Sequence, residues 1–255
     1  MTVFDPAAAP VWGRPAGAAD TPTSTGLLIA DTLWWLTHDD FTLRRKGTRR
    51  TRGAALAAAL LAEQLLARLA VIEDAHLVVF DPPPAPEAVV ALDRPPGTPP
   101  AEAVRQIRIA RADGLVDRVH RAFVVAPRID VIDAITGLAG DAEDAVAGRI
   151  AHTRPRLVRR VAPTPWSRRT RIVPRQAESV ASVAGHLARV SAAGTRRWPE
   201  ADVLAVALVH TFAMDRAIPS DPAALDALVR RHVSVDGHKL LAAAHRFLIR
   251  ETNAA

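Results

Sequence analysis

Apolar residues recur at helical spacing along most of the chain. The clearest pattern covers residues 53–72, GAALAAALLAEQLLARLAVI, where alanine and leucine occupy more than one helix face. Such a helix has little polar surface to present to water, so we expect it at the centre of the fold. An earlier helix over 25–40 has a broad apolar face that includes Leu28, Leu33 and Leu36.

Most of the remaining pattern is also helical. Short strands are predicted over 69–80, around a turn at 73–75, and over 154–175, where a proline-rich turn carries Trp166. The fold class predicted is all-α, a compact multi-helix domain around a central hydrophobic helix with one or two short β-hairpins. The further predicted helices are 101–125 with a break near Gly114, 128–153 with a break near Gly140, 177–193, 200–213, 222–231 and 237–250.

Two segments lack periodicity. Residues 1–22 are rich in Ala, Pro, Gly and Thr and are expected to be disordered. Residues 81–100 hold eight prolines and are predicted to form an irregular surface connection. This connection does not leave two halves that could each bury a core, so we predict a single helical domain over 23–250.

Composition narrows the class of protein. Hydrophobic residues make up 49% of the chain but aromatic residues only 4%, so the core must be built mostly from Ala, Val and Leu. The absence of cysteine excludes disulfides and thiolate metal sites. No apolar run reaches the roughly 20 residues of a membrane span, and no signal peptide is evident. We interpret the chain as a cytoplasmic protein that can attach peripherally to the inner face of the membrane.

No pattern typical of an enzyme is present. The sequence has no HExxH, no glycine-rich phosphate loop and no nucleophile elbow, and its nine histidines form no close pair with a flanking carboxylate. We therefore predict no catalytic residue, no metal ligand and no cofactor, and we expect a binding protein.

The densest feature of the sequence is a run of basic residues. The net charge of +6 favours anionic partners, and six of the 33 lysines and arginines lie within nine positions. Arginine offers a planar fork to phosphate, and each basic residue near an anionic bilayer contributes about 1 kcal/mol. The alternative is a solvated loop whose charges keep the protein soluble. The six residues are Arg44, Arg45, Lys46, Arg49, Arg50 and Arg52.

A second basic cluster surrounds Trp166. Arg168 and Arg169 follow this tryptophan, and prolines flank the turn. A tryptophan between arginines suits a membrane interface, where the ring lies at headgroup depth and the guanidiniums contact phosphates. Alternatively, Trp166 folds back onto a hydrophobic edge. We expect the two arginine clusters to lie on one face.

The order of these elements resembles the Golgi phosphoprotein 3 family, specifically its shorter bacterial relatives. The resemblance covers roughly residues 25–249 and implies a compact all-α fold with a β-hairpin on its membrane face. It also implies peripheral membrane attachment through phosphatidylinositol 4-phosphate; eukaryotic members additionally engage the tails of glycosyltransferases. The matching stretches include LLIADTLWWLTHDD, AALLAEQLLARLAVIED, HLVVFD, VIDAITGLAGDAEDAVAGRI, RLVRRVAPTPWSRRTRIVP, RWPEADVLAVALVHTFAMDRAI and LLAAAHRFLI.

The family's headgroup pocket, one tryptophan and three arginines, is not reproduced position by position. When Glu63 is matched to the family's helix glutamate, the tryptophan falls near Thr48 and the first arginine near Ala57. The later arginine pair falls near Asp144 and Ala147. The resemblance therefore implies a pocket built from the nearest basic residues, which are Arg49, Arg50, Arg52 and Arg149.

A nucleic-acid-binding protein is the alternative. A helix followed by two short strands is the end of a winged-helix pattern, and basic residues lie close by. A recognition helix, however, must present polar residues to a groove. The helix over 53–72 offers only Glu63, Gln64 and Arg68 among its alanines and leucines. We therefore favour anionic membrane lipids as partners and consider nucleic acid unlikely.

Overall fold

The computed structural model describes residues 28–92, 100–162, 170–192, 198–214, 218 and 221–253. The described chain is mostly helical, with two small antiparallel sheets, which confirms the predicted helical character with short hairpins. The predicted disordered segment 1–22 lies outside the described residues, and so does the turn at 163–169 that carries Trp166, Arg168 and Arg169.

Eleven helices and five strands lie in the described residues. The helices are α1 Ile29–Leu36, α2 Arg49–Leu66, α3 Pro86–Leu92, α4 Pro100–Arg111, α5 Gly114–Val124, α6 Val131–Ala139, α7 Ala142–Thr153, α8 Ala177–Ala192, α9 Glu200–Thr211, α10 Pro222–His232 and α11 Val235–Asn253. The strands are β1 Ala70–Glu73, β2 His76–Val79, β3 Arg128–Asp130, β4 Val158–Val161 and β5 Arg171–Pro174.

The central helix α2 starts earlier and ends earlier than the sequence pattern predicted. It starts at Arg49 because the Thr48 hydroxyl accepts a hydrogen bond from the Thr51 backbone N–H at 3.1 Å, which caps the first turn. It ends at Leu66 because the chain turns at Arg68, whose φ is 53°. The basic run therefore belongs partly to the first turn of a helix and not wholly to a loop.

Helix α2 is buried along most of its length, from Arg52 to Leu65. It packs against α1, α5, α6, α7, α9 and α11. The same large hydrophobic cluster includes both tryptophans of α1, Trp34 and Trp35, which meet edge to face with ring centroids 5.2 Å apart. The prediction that an apolar helix lies at the centre of the core is confirmed.

The predicted strand pair over 69–80 is present, but it forms part of a three-stranded sheet. Strands β1 and β2 pair antiparallel, and their turn uses Asp74 and Ala75 with φ of 45° and 67°. Strand β3 pairs with the outer edge of β2, with His76 opposite Asp130. The sequence analysis missed β3 because three residues are too few to show an alternating pattern.

The prediction of an irregular connection over 81–100 is wrong for residues 86–92, which form α3. Proline is tolerated in the first turn of a helix, where its missing N–H has no intrahelical partner. Pro86 occupies that first position, and no further proline interrupts EAVVAL. Likewise, Pro100 begins α4. Val90 of α3 and Ile107 of α4 form a small hydrophobic cluster apart from the main core.

We expect Gly53→Ala and Gly148→Ala to change stability in opposite directions. A Cβ on Gly53 would lie 2.2 Å from the Ala139 carbonyl oxygen, so α2 and α6 would have to separate. This overpacking should lower the free energy of unfolding by about 1–3 kcal/mol. Gly148 lies on the exposed side of α7 with open space around its Cα, so alanine there should stabilise by roughly 0.5–1 kcal/mol. Urea denaturation of both variants measures the difference. A stabilising Gly53→Ala would disprove the close approach of α2 and α6.

Candidate functional site

The first half of the basic run lies in a tight turn between α1 and α2. The turn is organised by Asp39, whose Oδ1 accepts hydrogen bonds from the backbone N–H groups of Phe41 and Thr42 at 3.0 and 2.7 Å. The Thr42 hydroxyl also donates to Oδ1 at 2.9 Å. The bonds from Thr42, followed by the bond from Phe41, lower the pKa of Asp39. The carboxylate therefore acts as the internal acceptor of the turn.

Backbone hydrogen bonds close the base of this turn. The Asp39 N–H donates to the Arg44 carbonyl and the Lys46 N–H donates to the Thr37 carbonyl, each at 2.7 Å. His38 and Arg45 form the β-bridge between these two bonds. Residues 37–46, here called the Asp39 turn, therefore form a small hairpin, which the sequence analysis did not predict.

The two inward-facing arginines of the basic run share one carboxylate on α7. Arg45 Nη1 lies 2.9 Å from Glu143 Oε1, and Arg52 Nη2 lies 3.4 Å from Glu143 Oε2. Arg52 Nη1 also donates to the carbonyls of Lys46 and Gly47, at 3.1 and 2.7 Å. These contacts fasten the Asp39 turn to the N-terminal ends of α2 and α7.

The remaining predicted arginines of the run are exposed. Arg44 lies in the Asp39 turn, and Arg49 and Arg50 lie in the first turn of α2. Arg50 contacts Glu251 near the end of α11, but its side chain is still 71% exposed. The structure thus separates the predicted lipid-binding residues into an outward group, Arg44, Arg49 and Arg50, and an inward group, Arg45 and Arg52.

His38, the second residue of the Asp39 turn, is fully buried. Its Nδ1 lies 3.1 Å from the Trp34 carbonyl oxygen, and its ring packs on the Trp34 ring with centroids 4.6 Å apart. Burial, helped by the neighbouring charges of Arg45 and Arg52, lowers the pKa of His38 to about 4, although the hydrogen bond to the Trp34 carbonyl opposes this shift. The imidazole is therefore neutral near pH 7 and adds no positive charge to the turn.

Arg149, the remaining predicted lipid-binding residue of the described chain, lies in the interior. Its Nε donates to Asp31 Oδ1 at 2.7 Å, and its Nη1 donates to Glu63 Oε2 at 2.8 Å and to Asp113 Oδ1 at 3.2 Å. The Arg149 side chain is only 4% exposed. A headgroup could reach this guanidinium only if these bonds broke, so we assign Arg149 a structural role.

The carboxylates around Arg149 also complete helix ends. Glu63 Oε1 accepts a hydrogen bond from the Ala30 N–H at 2.8 Å, which serves the start of α1, where no side chain caps the helix locally. Asp113 Oδ1 accepts the N–H groups of Leu115 and Val116 at 3.0 Å and so caps α5. We call Asp31, Glu63, Asp113 and Arg149 the buried ionic cluster.

The buried ionic cluster has more carboxylates than cations, and this affects protonation. Burial, together with the charges of Glu63 and Asp113, raises the pKa of Asp31 to about 6 against the opposing effect of Arg149. Burial alone would lower the pKa of Arg149, but the same three carboxylates raise it, so the guanidinium remains charged. Asp31 therefore changes its protonation near pH 6, above the ordinary range of an aspartate.

Of the second arginine cluster, the structure describes only the two strands that flank the turn at 163–169. Strands β4 and β5 pair from Val158 opposite Pro174 to Val161 opposite Arg171, and both strands contact α7. Burial lowers the pKa of Arg45, Glu143 raises it, and the charges of Arg52 and Arg171 lower it. The end of the β4–β5 ladder at Arg171, next to the turn at 163–169, therefore lies near the Asp39 turn, whereas Trp166, Arg168 and Arg169 lie outside the described residues.

Among the described residues, no group of three or more histidines and carboxylates is arranged to hold a metal ion. None of the helices described combines the length and apolar character that crossing a membrane requires.

Two features of this region were missed from the sequence. The first is Phe41, which lies in the Asp39 turn with 92% of its surface exposed. The second is the set of carboxylates around Arg149, which come from distant parts of the chain. A partial signal was present, because Asp31 interrupts the apolar stretch LLIADTLWWL and Glu63 interrupts the central apolar helix. A charge within a buried stretch requires a partner.

We expect Asp31→Asn to stabilise the protein in a pH-dependent way. The folded pKa of about 6 lies above the ordinary value of 3.8, so the wild-type contribution of Asp31 is complete below pH 4 and is lost as the pH rises to 6. Asparagine keeps an oxygen for Arg149 but has no proton to lose. The variant should gain up to about 3 kcal/mol over the wild type at pH 7.5 and nearly nothing at pH 4. Urea melts across this range test it, and a pH-independent difference would contradict it.

Comparison with known proteins found no matching family model, no similar curated protein and no similar solved structure. The resemblance to the Golgi phosphoprotein 3 family therefore stays a prediction.

Proposed function

We propose that this chain is a peripheral membrane-associated binding or adaptor protein that recognises anionic lipid headgroups. The observation that carries the proposal is the outward position of Arg44, Arg49 and Arg50 around a turn that is fastened to the fold. Exposed guanidiniums on a fixed support can contact several phosphates at once, with less loss of conformational freedom than arginines on a mobile loop.

The local charge supports an anionic partner. Residues 38–52 contain six basic and two acidic residues, a net charge of +4. One of the two acids, Asp39, has its Oδ1 bonded within the turn, and His38 is neutral. Inward-facing Arg45 and Arg52 share the carboxylate of Glu143, so the outward group accounts for much of the field that an approaching surface meets.

The position of the β4–β5 hairpin also supports the proposal. Arg171, at the start of β5, is exposed and lies near Arg45, and Arg159 and Arg160 on β4 are exposed as well. Because both strands contact α7, which also holds the Asp39 turn through Glu143, the two basic regions have a common support. A basic surface that runs from the Asp39 turn to Arg171 would match a charged bilayer better than a small isolated anion.

The identity of the lipid rests on the family resemblance, which favours phosphatidylinositol 4-phosphate. With Arg149 in the buried ionic cluster and Arg52 bonded to two carbonyls, headgroup recognition falls to the outward group. Multiply charged headgroups would bind more tightly than singly charged ones because the three guanidiniums could contact different phosphate groups of the same headgroup.

The burial of α2 argues against the alternative of base recognition in nucleic acid. The helix that precedes the β1–β2 hairpin is buried from Arg52 to Leu65 and cannot enter a groove. The same arginines would give a DNA duplex only nonspecific contacts with its phosphates. Duplex DNA is therefore the competing partner in the vesicle-binding experiment.

We expect the triple variant Arg44→Ser, Arg49→Ser, Arg50→Ser to lose most binding to anionic vesicles. At low salt, each arginine should contribute about 1 kcal/mol, so the triple change should weaken binding by about 3 kcal/mol. Co-sedimentation with vesicles of phosphatidylcholine containing phosphatidylserine or phosphatidylinositol 4-phosphate measures it. The wild type should also lose affinity as salt rises, because exposed charges are screened over about 8 Å at physiological ionic strength.

The matched control removes three exposed arginines from other helices, Arg108, Arg121 and Arg230. Each of them is paired with an acid at the surface, so their loss should cost little stability. This control has the same net charge as the test variant and should retain vesicle binding. Equal losses in the two triple variants would show that only total charge matters. A wild type that ignores anionic vesicles and shifts duplex DNA at the same salt would refute the membrane proposal.

A further inference from the structure

The Asp39 turn exposes a large apolar side chain beside its arginines. Phe41 is 92% exposed, the most exposed of the large hydrophobic residues described. Leu43, two residues later, is partly buried and packs against the main core. The turn thus has one apolar residue directed to the core and another directed to solvent, although burial of a phenylalanine side chain would stabilise the fold by roughly 1.5–3 kcal/mol.

The exposure of Phe41 follows from the way the turn is fastened. Its own N–H is bonded to Asp39 Oδ1, and the next residue, Thr42, bonds to the same oxygen through both its N–H and its hydroxyl. Leu43 has a φ of 54°, a left-handed conformation that is unfavourable for leucine, and its N–H donates to the Asp39 carbonyl at 2.9 Å. These bonds fix the backbone at Phe41 and with it the direction of the Cα–Cβ bond, and the ring that this bond carries is exposed to solvent.

We propose that Phe41 enters the interfacial region of an anionic bilayer while the neighbouring arginines contact its headgroups. This inference rests on the proposed function and adds to it a specific apolar contact. We favour an anionic bilayer as the partner because the charged residues close to Phe41 in sequence are mainly basic. Arg44 lies in the same turn, and Arg49 and Arg50 begin the helix that follows. An aromatic ring among guanidiniums is the arrangement that suits a membrane interface, where one part of the surface is apolar and the other charged.

A fluorescent label at position 41 tests the insertion directly. The chain has no cysteine, so Phe41→Cys gives a single attachment point for an environment-sensitive nitrobenzoxadiazole label. Val125→Cys, at a residue 89% exposed after α5, gives the matched control. With phosphatidylserine-containing vesicles, emission from position 41 should rise and shift to the blue. The label at position 125 should not respond, and neutral vesicles should affect neither.

Partition measurements with the unlabelled protein give a second test. Phe41→Ser should weaken binding to the anionic vesicles about tenfold with little change in its salt dependence, because the lost contact is apolar. Phe41→Trp should retain the affinity, and Val125→Ser should leave it unchanged. Thermal melts of the Phe41 variants should match the wild type, since the side chain makes no contribution to the core.

The outcomes separate this inference from the proposed function. If the wild type binds anionic vesicles in a salt-dependent way but the label at 41 stays in water and Phe41→Ser binds normally, the arginines act alone and the insertion is refuted. An equal response at positions 41 and 125 indicates unspecific adsorption and also refutes it. If the wild type fails to bind anionic vesicles at all, both the proposed function and the insertion are wrong.

Discussion

The fold depends on how the charge of Arg149 is compensated inside the core. Its guanidinium bonds to Asp31, Glu63 and Asp113, so α7 is joined through one cation to α1, α2 and the start of α5. Loss of the guanidinium would leave carboxylates without a counter-charge in the interior, and breaking such a network costs about 3–5 kcal/mol. Because Glu63 also bonds the Ala30 N–H and Asp113 caps α5, the same carboxylates that balance the charge also complete two helix ends. The carboxylates that compensate the charge of Arg149 therefore also determine where α1 and α5 begin.

This internal constraint also determines where the basic surface lies. Helix α7 carries Arg149 in the interior and, about one and two-thirds turns earlier, Glu143, which binds Arg45 and Arg52. Helix α1, which the ionic cluster holds at its N-terminal end, leads directly into the Asp39 turn. The turn is thus attached at both ends to helices that the core has already positioned. A surface contact made by the turn is consequently supported by the most deeply buried interactions of the protein.

The sequence predicted the helices well because their apolar spacing and their breaks near Gly114 and Gly140 are local signals. The sequence was less informative where a single residue decides whether a helix forms. Pro86 begins α3, but the prolines around it led us to predict an irregular segment. For the site, the basic run was evident, but its division into inward and outward arginines was not. Arg49 and Arg52 are the same residue type three positions apart. Arg52 is turned inward by the carbonyls of Lys46 and Gly47, which the Asp39 turn brings close, and by Glu143, ninety-one residues further along the chain. That information is tertiary and leaves no trace in spacing or composition.

The division of the arginines bears on how strongly a membrane could be held by charge alone. Six basic residues would suggest about 6 kcal/mol of attraction at roughly 1 kcal/mol each. Two of them, Arg45 and Arg52, contact Glu143, and Arg50 contacts Glu251. Only the surface pair to Glu251 is weak enough to exchange for a lipid phosphate at little cost. The electrostatic attraction is therefore smaller than the sequence count implies, and salt weakens it further.

An apolar contact does not share this dependence, because burial of hydrocarbon surface is insensitive to screening at physiological ionic strength. A turn that combines exposed arginines with an exposed aromatic ring can therefore retain affinity under conditions where arginines alone would release the membrane.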